Sequence, residues 1–135
     1  MVYAVIDTNI FISAFITKNA TASTRRVINS LFAGKIKPLY NDEIIEEYSE
    51  VLHRSKFHLA DKDIQRLLYF IQINGIDSSR FPYDGDMLDE DDRVFYEVAL
   101  SEEDSFLVTG NLKHFPKTPK VVTAAQMIEI LDHEE

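Results

Sequence analysis

The chain has 135 residues, 45% of them hydrophobic, no cysteine and a formal net charge of −9 at pH 7. This length suits one domain over residues 1–135, and the hydrophobic share is enough for a core and too high for a disordered chain. The absence of cysteine excludes disulfides and thiolate metal sites, and the acidic balance argues against a simple basic nucleic-acid-binding module.

Apolar strand patterns alternate with helix patterns, in which apolar residues recur every three or four positions. In chain order the patterns predict a strand over 2–6, a helix over 21–34, a strand over 36–40, helices over 41–55 and 61–75, a loop over 76–91, a helix over 90–104, a strand over 105–110, a turn with a short helical piece over 111–119, and a strand followed by a helix over 120–135.

Several helix ends carry local signals. Asn41 or Asp42 can cap the helix over 41–55, and Thr123 can cap the C-terminal helix. The helix over 61–75 is expected to run from a cap at Asp61 to a stop at Gly75.

This alternation predicts an α/β fold with a parallel sheet covered by helices on both faces. In such sheets functional groups gather beyond the C-terminal ends of the strands. Asp7 directly follows the first predicted strand, and residues 109–111 directly follow the strand FLV. Both positions therefore fall at one edge of the sheet.

No apolar run approaches the roughly 18–20 residues of a membrane span, and the N-terminus lacks the basic and small-residue pattern of a signal peptide. Together with the absence of cysteine, this favours a cytoplasmic protein with no membrane partner. The acidic excess serves solubility, or part of it lines a pocket for divalent cations.

Asp7 is the first candidate site residue. The sequence DTN suits a turn or helix cap, and it equally suits a metal-binding carboxylate at a strand end. In the second interpretation, Thr8 and Asn9 could hydrogen-bond its oxygens or a metal-bound water.

Two further acids lie on helices. Glu47 falls beside the predicted apolar stripe of its helix and is either a solvated acid or a ligand that reaches the strand-end pocket, whereas Glu46 and Glu50 point more toward solvent. Asp92 falls on the inward face of its helix, and Asp89 is the expected cap.

The tripeptide after the strand FLV contains Thr109 and Asn111. It can be an ordinary turn, and its hydroxyl and amide oxygens also suit a hard cation, directly or through water.

Four segments together resemble the PIN-domain family, including its VapC-type toxin ribonucleases of toxin–antitoxin pairs: VIDTNIFISA, EIIEEYSEVL, DEDDRVFYEVAL and SFLVTGNLKHFP. The resemblance covers essentially the whole chain in order, spacing and element type. It implies a three-layer α/β/α fold with a central, mainly parallel sheet. It also implies an acidic pocket that binds Mg²⁺ or Mn²⁺ and cleaves RNA.

The resemblance assigns roles residue by residue. Asp7, Glu47 and Asp92 fall on the family's three core acids, which are catalytic and bind the metal. Asn9 and Thr109 fall on its polar helper positions. Asn111 falls where many members have a fourth acid, so a second metal would be held less firmly. The family further implies an antitoxin partner and a homodimer.

The chemistry agrees with this assignment. Phosphodiester hydrolysis needs a nucleophilic water and neutralisation of transition-state charge, and a divalent cation supplies both. Oxygen donors and the lack of Cys/His clusters favour Mg²⁺ or Mn²⁺ over zinc. Among the basic groups, Arg25, Arg26 and Lys113 are the candidates for contacts with RNA phosphates.

Two alternatives to a PIN-type ribonuclease share parts of this pattern. Haloacid-dehalogenase-type and receiver-type α/β proteins also use strand-end aspartates, but the spacing of acids here fits neither. A PIN-like scaffold with weak or no catalysis, which binds RNA or a protein partner, stays open because of Asn111.

Overall fold

The computed structural model describes residues 1–134 and contains a five-stranded, all-parallel sheet. Its order is β3-β2-β1-β4-β5, so the first strand of the chain lies at the centre. The strands are β1 Val2–Ile6, β2 Ile36–Tyr40, β3 Ile76–Asp77, β4 Ser105–Val108 and β5 Val121–Val122.

Helices cover both faces of the sheet and give the predicted three-layer α/β/α fold. Helix α2 packs against α1 and α6, and α3 packs against α1, α4 and α5. The helices are α1 Thr8–Ile16, α2 Ser23–Phe32, α3 Asp42–Leu52, α4 Asp61–Asn74, α5 Arg93–Leu100 and α6 Ala124–His133, with short 3-10 helices at Ser55–Phe57, Glu90–Asp92 and Leu112–His114. Within residues 1–134, no helix is both long and apolar enough to cross a membrane.

Strand register determines which residues meet at the C-terminal edge of the sheet. Ile6 of β1 pairs with Val108 of β4, so Asp7 and Thr109 are the first residues beyond two adjacent strands. Backbone bonds continue past the strand ends, with the Asp7 N–H donating to Val108 O at 2.9 Å and the Thr109 N–H to Val122 O at 2.9 Å. The edge that holds both side chains is therefore hydrogen-bonded and fixed.

Two elements are absent from the sequence prediction. Helix α1 is apolar nearly all round, so no periodic stripe marks it, and the core takes Ile10, Phe11 and Ala14 from it. Strand β3 lies inside the predicted loop and consists of two exposed residues. It exists only through its pairing with Leu39 and Tyr40 of β2, which no local pattern encodes.

Three predicted helix-end signals agree with the structure, including the stop of α4 at Gly75, and one differs. The Asn41 side chain accepts from the Ile44 N–H at 2.9 Å, and Thr123 forms a capping box with Gln126. The predicted Asp61 cap is wrong. Ala60 occupies the cap position, and Asp61 instead bonds the imidazole of His53 at 2.6 Å.

The helix predicted over 90–104 is shorter in the structure. A 3-10 turn at Glu90–Asp92 precedes α5, which ends at Leu100. The Asp89 side chain accepts from the Asp91 N–H at 3.0 Å and caps this turn, as expected.

The segment before α5 is tied to the body of the protein by Glu97. This carboxylate is 7% exposed and accepts from Arg80 Nε at 2.7 Å and from the Tyr83 N–H at 2.9 Å. Arg80 also donates to both oxygens of Glu43, at 2.9 and 3.0 Å. Burial acts to raise the pKa of Glu97, but the bonds from Tyr83 and Arg80 outweigh it and hold the pKa below its usual value.

Replacement of Glu97 with alanine should lower the free energy of unfolding at pH 7 by about 3 kcal/mol, because it leaves two partly buried donors without an acceptor. Since the folded-state pKa lies below the usual 4.5, the wild-type contribution is complete above pH 4.5 and is lost as the pH falls through the folded-state value. Urea unfolding of wild type and E97A from pH 7 to pH 3 should show the difference shrinking in acid. An equal difference at all pH values would contradict this account.

Candidate active site

Asp7 is a buried carboxylate held by a hydrogen bond from a residue 102 positions later in the chain. Asp7 is 5% exposed, and the fully buried Thr109 donates its hydroxyl proton to Asp7 Oδ2 at 2.7 Å. The Thr109 hydroxyl oxygen accepts in turn from the Asn111 N–H at 3.0 Å. This chain of bonds fixes the orientation of the Asp7 carboxylate at the sheet edge.

The environment of Asp7 acts on its charge in opposite directions. Burial raises the pKa of Asp7, while the bond from Thr109, the backbone N–H groups of Asn9 and Thr8, and the electrostatic effect of His114 lower it. The two N–H groups belong to the first turn of α1, where the helix dipole favours negative charge. Asp7 thus occupies the cap position of α1 and is also the buried acid at the strand end.

Asp92 lies close enough to Asp7 for the two charges to interact. Its side chain is 15% exposed, and Oδ2 lies 3.1 Å from Nδ1 of His114. Nδ1 carries the proton of this bond because an ionised carboxylate can only accept. Burial, and then the negative charge of Asp7, raise the pKa of Asp92 to about 6, against the opposing effect of His114.

Glu47 lies beside this pair and not within it. It is half-buried on α3, and its pKa is raised by burial and then by the charges of Asp91 and Glu50, with a smaller effect from Asp7. It lines a groove of about 270 Å³ with other acids and Arg80; the acids are Glu43, Glu46, Glu50, Glu90 and Asp91. We refer to this surface as the acidic groove.

The donor set fits a hard divalent cation held by two carboxylates. Across residues 1–134, no group of three Asp, Glu, His or Cys side chains lies close enough together in this structure to hold a metal ion. Mg²⁺ commonly keeps several waters and binds through one or two carboxylates, which Asp7 and Asp92 supply. The buried Thr8 hydroxyl has no hydrogen-bond partner among residues 1–134. A polar group next to Asp7 is therefore free for a further contact.

The predicted helper residues and the first predicted RNA-contact residue have different surroundings. Asn9 and Asn111 have exposed side chains, and the structure shows a site contact only for the backbone of each. Arg25 donates to the carbonyls of Ala14 and Thr17, at 2.9 and 3.1 Å, and so satisfies the C-terminal end of α1.

The other two basic candidates are exposed. Arg26 lines a separate groove between α2 and α6, whereas Lys113 lies next to His114 on the 3-10 helix that follows β4. Of the three predicted basic residues, Lys113 is the one whose neighbour in the chain contacts a site carboxylate.

Tyr48, on α3, is a site residue that the sequence pattern does not single out. It is 1% exposed, and its hydroxyl donates to the Ile6 carbonyl at 2.5 Å, directly before Asp7. Burial and the charge of Asp7 hold the pKa of Tyr48 well above its usual value. A tyrosine within an otherwise aliphatic stripe is the only local signal for this role, because its acceptor lies 42 residues earlier.

A family model described as PIN domain matches residues 3–113, and the chain belongs to this family. PIN domains are generally nucleases that use divalent metals, which agrees with buried, oxygen-rich ligands at the sheet edge. A comparison with curated protein sequences finds no significant match.

Replacement of Asp92 with asparagine should stabilise the metal-free protein at pH 7.5 by about 2–3 kcal/mol. A carboxyl whose pKa rises from 3.8 to about 6 on folding destabilises the folded state once it is ionised. The wild-type penalty is absent below pH 3.8, grows through the interval up to about pH 6 and is complete above it. Urea unfolding in EDTA should therefore show a gain for D92N at pH 7.5 and none at pH 3.5. A gain of equal size at both pH values would contradict the raised pKa of Asp92, which burial and then the charge of Asp7 produce.

Proposed function

We propose that the protein is a divalent-metal-dependent ribonuclease that hydrolyses RNA phosphodiester bonds. The observation that carries this proposal is the pair of mutually repelling carboxylates at the C-terminal edge of a PIN-type sheet, the buried Asp7 and the partly buried Asp92. Such a pair is costly to the fold, and a cation between the carboxylates removes the cost. Strained electrostatics of this kind are typical of functional sites.

The chain's own residues hold the two carboxylates in place. Thr109 and the first turn of α1 orient Asp7. His114 orients Asp92 by its hydrogen bond to Oδ2. When bound, Mg²⁺ or Mn²⁺ would neutralise phosphate charge and lower the pKa of a bound water. We assign Glu47 the role of a third catalytic carboxylate. Its flexible side chain would reach the Asp7–Asp92 pair from the acidic groove.

Replacement of Asp7 or Asp92 with asparagine should abolish both metal-dependent RNA cleavage and the upward shift in melting temperature with Mn²⁺. Each change removes one of two carboxylate ligands while keeping side-chain shape. Cleavage of a labelled RNA and thermal melts with and without Mn²⁺ measure the two effects. Asp63→Asn, at an exposed position of α4, is the matched control and should behave as wild type. An equal Mn²⁺ shift in wild type and D7N would contradict the site.

Glu47 and Glu46 provide a matched pair on one helix. Glu47→Gln should lower the cleavage rate by at least about tenfold, because it removes the half-buried carboxylate that we propose as the third acid of the catalytic group. Glu46→Gln should leave the rate within about twofold of wild type, since Glu46 is exposed. Single-turnover cleavage assays measure both rates. Equal losses in the two variants would remove Glu47 from the catalytic group.

We further propose that the protein is the toxin of a toxin–antitoxin pair. The support is the resemblance to VapC-type ribonucleases and the acidic groove, which suits a basic side chain of an inhibitory partner. A homodimer is part of the same proposal. Induced expression of wild type should arrest cell growth and D7N should not. The proposal also expects a short reading frame next to the gene whose co-expression restores growth.

A second candidate is a scaffold that binds RNA or a protein partner with weak or no cleavage. It is favoured by Asn111, which leaves the edge one charge short of many family members, and by the lack of a three-ligand group within residues 1–134. RNA binding without any cleavage in Mg²⁺ or Mn²⁺ would establish this function instead.

A further inference from the structure

A second groove lies beside the candidate active site. It has a volume of about 410 Å³ and is lined mainly by Leu112, Lys113, Phe115, Pro116, Lys117 and Val121. We refer to it as the lysine groove. Its volume falls within the range of about 300–1,000 Å³ typical of pockets for small organic ligands.

The lysine groove is joined to the site carboxylates by short, hydrogen-bonded links. The Asn111 N–H donates to the Thr109 hydroxyl that holds Asp7, and the Asn111 carbonyl accepts from the His114 N–H at 3.0 Å. His114, in turn, contacts Asp92. The 3-10 helix that forms one wall of the groove is therefore fixed relative to both carboxylates.

The groove combines apolar surface with free positive charge. Phe115 and Val121 are buried, and Leu112 is 42% exposed, so apolar atoms line it. Lys113 and Lys117 are exposed and make no hydrogen bond or ion pair with any other residue of the 1–134 range. Lys120 differs from both, because its ammonium donates to the carbonyls at positions 102, 103 and 105 at 2.7–3.1 Å.

The acidic groove, which contains Glu47, differs sharply in charge. Six carboxylates line it with Arg80 as the single cation, whereas no acid lines the lysine groove. A phosphate backbone is repelled by the first surface and attracted by the second. A nucleic-acid strand whose phosphate lies at Asp7 and Asp92 is therefore favoured to continue along the lysine groove.

We propose that the lysine groove is a nucleotide-binding subsite for single-stranded RNA, which takes the base of a nucleotide next to the scissile phosphate while Lys113 and Lys117 pair with its flanking phosphates. Apolar surface that receives a base, with cations that follow the backbone, is the usual chemistry of single-strand binding. The proposal rests on the proposed ribonuclease function for the identity of its ligand.

The test measures binding separately from cleavage. A fluorescent octaribonucleotide is titrated with the protein in EDTA, where metal-dependent cleavage does not occur, and binding is followed by fluorescence anisotropy. K113Q/K117Q should weaken binding by at least about tenfold, since two phosphate contacts are lost. K18Q/K37Q removes the same charge and is the matched control. Lys18 follows the far end of α1, roughly 13 Å of helix from Asp7, and Lys37 lies near the start of β2; binding should change less than about twofold.

A second probe separates base recognition from charge attraction. An octamer with the same phosphates and no bases should bind wild type at least about tenfold more weakly than the complete octamer. Leu112→Ser should reduce this preference, and Leu88→Ser, at an exposed leucine that does not line the groove, should not. Equal binding of the two octamers to wild type, or equal losses in K113Q/K117Q and K18Q/K37Q, would overturn the subsite.

Failure of the two proposals can be told apart. Lysine- and base-dependent binding without cleavage in Mg²⁺ or Mn²⁺ would leave the subsite standing and overturn the ribonuclease. Metal-dependent cleavage, together with binding that does not depend on Lys113, Lys117 or the bases, would support the ribonuclease and overturn the subsite.

Discussion

The hydrogen bond from Thr109 to Asp7 is the interaction on which the site depends. It joins the ends of β1 and β4, two strands adjacent in space and far apart in sequence, and it aims a buried carboxylate outward from the sheet edge. Burial of a carboxylate without such partners costs several kcal/mol. The N–H groups in the first turn of α1 also lower the pKa of the same acid. The Thr109 hydroxyl and these backbone dipoles, and not a set of long charged side chains, therefore support this charge.

Asp92 adds a second charge that the fold does not fully compensate. Its pKa of about 6 records the conflict between burial and the charge of Asp7 on one side and the His114 bond on the other. The metal-free protein keeps both acids at a cost in stability, as functional sites often do. A cation can recover that free energy on binding, which makes the site selective for positive charge before any particular ligand is considered.

The two grooves near this pair differ in charge, so the electrostatic environment is negative on one side of the site and positive on the other. The acidic groove extends between α3 and the start of α5, and the lysine groove extends from the 3-10 helix after β4. With a net charge of −9 the chain as a whole repels polyanions, so under the proposed function the two unpaired lysines would guide an RNA strand more than their number suggests.

The sequence by itself determined the strand and helix order, the parallel sheet and the position of Asp7 and Thr109 at strand ends, because hydrophobic period and turn residues are local signals. Helix α1 and strand β3 were not predicted, since the first is apolar all round and the second exists only by pairing. The family resemblance already grouped Asp7, Glu47 and Asp92 as expected site acids. Only the tertiary structure showed that Glu47 faces the acidic groove beside the Asp7–Asp92 pair, and that Arg25 caps α1. Side-chain distances between segments depend on strand register and helix packing, which local sequence patterns do not contain.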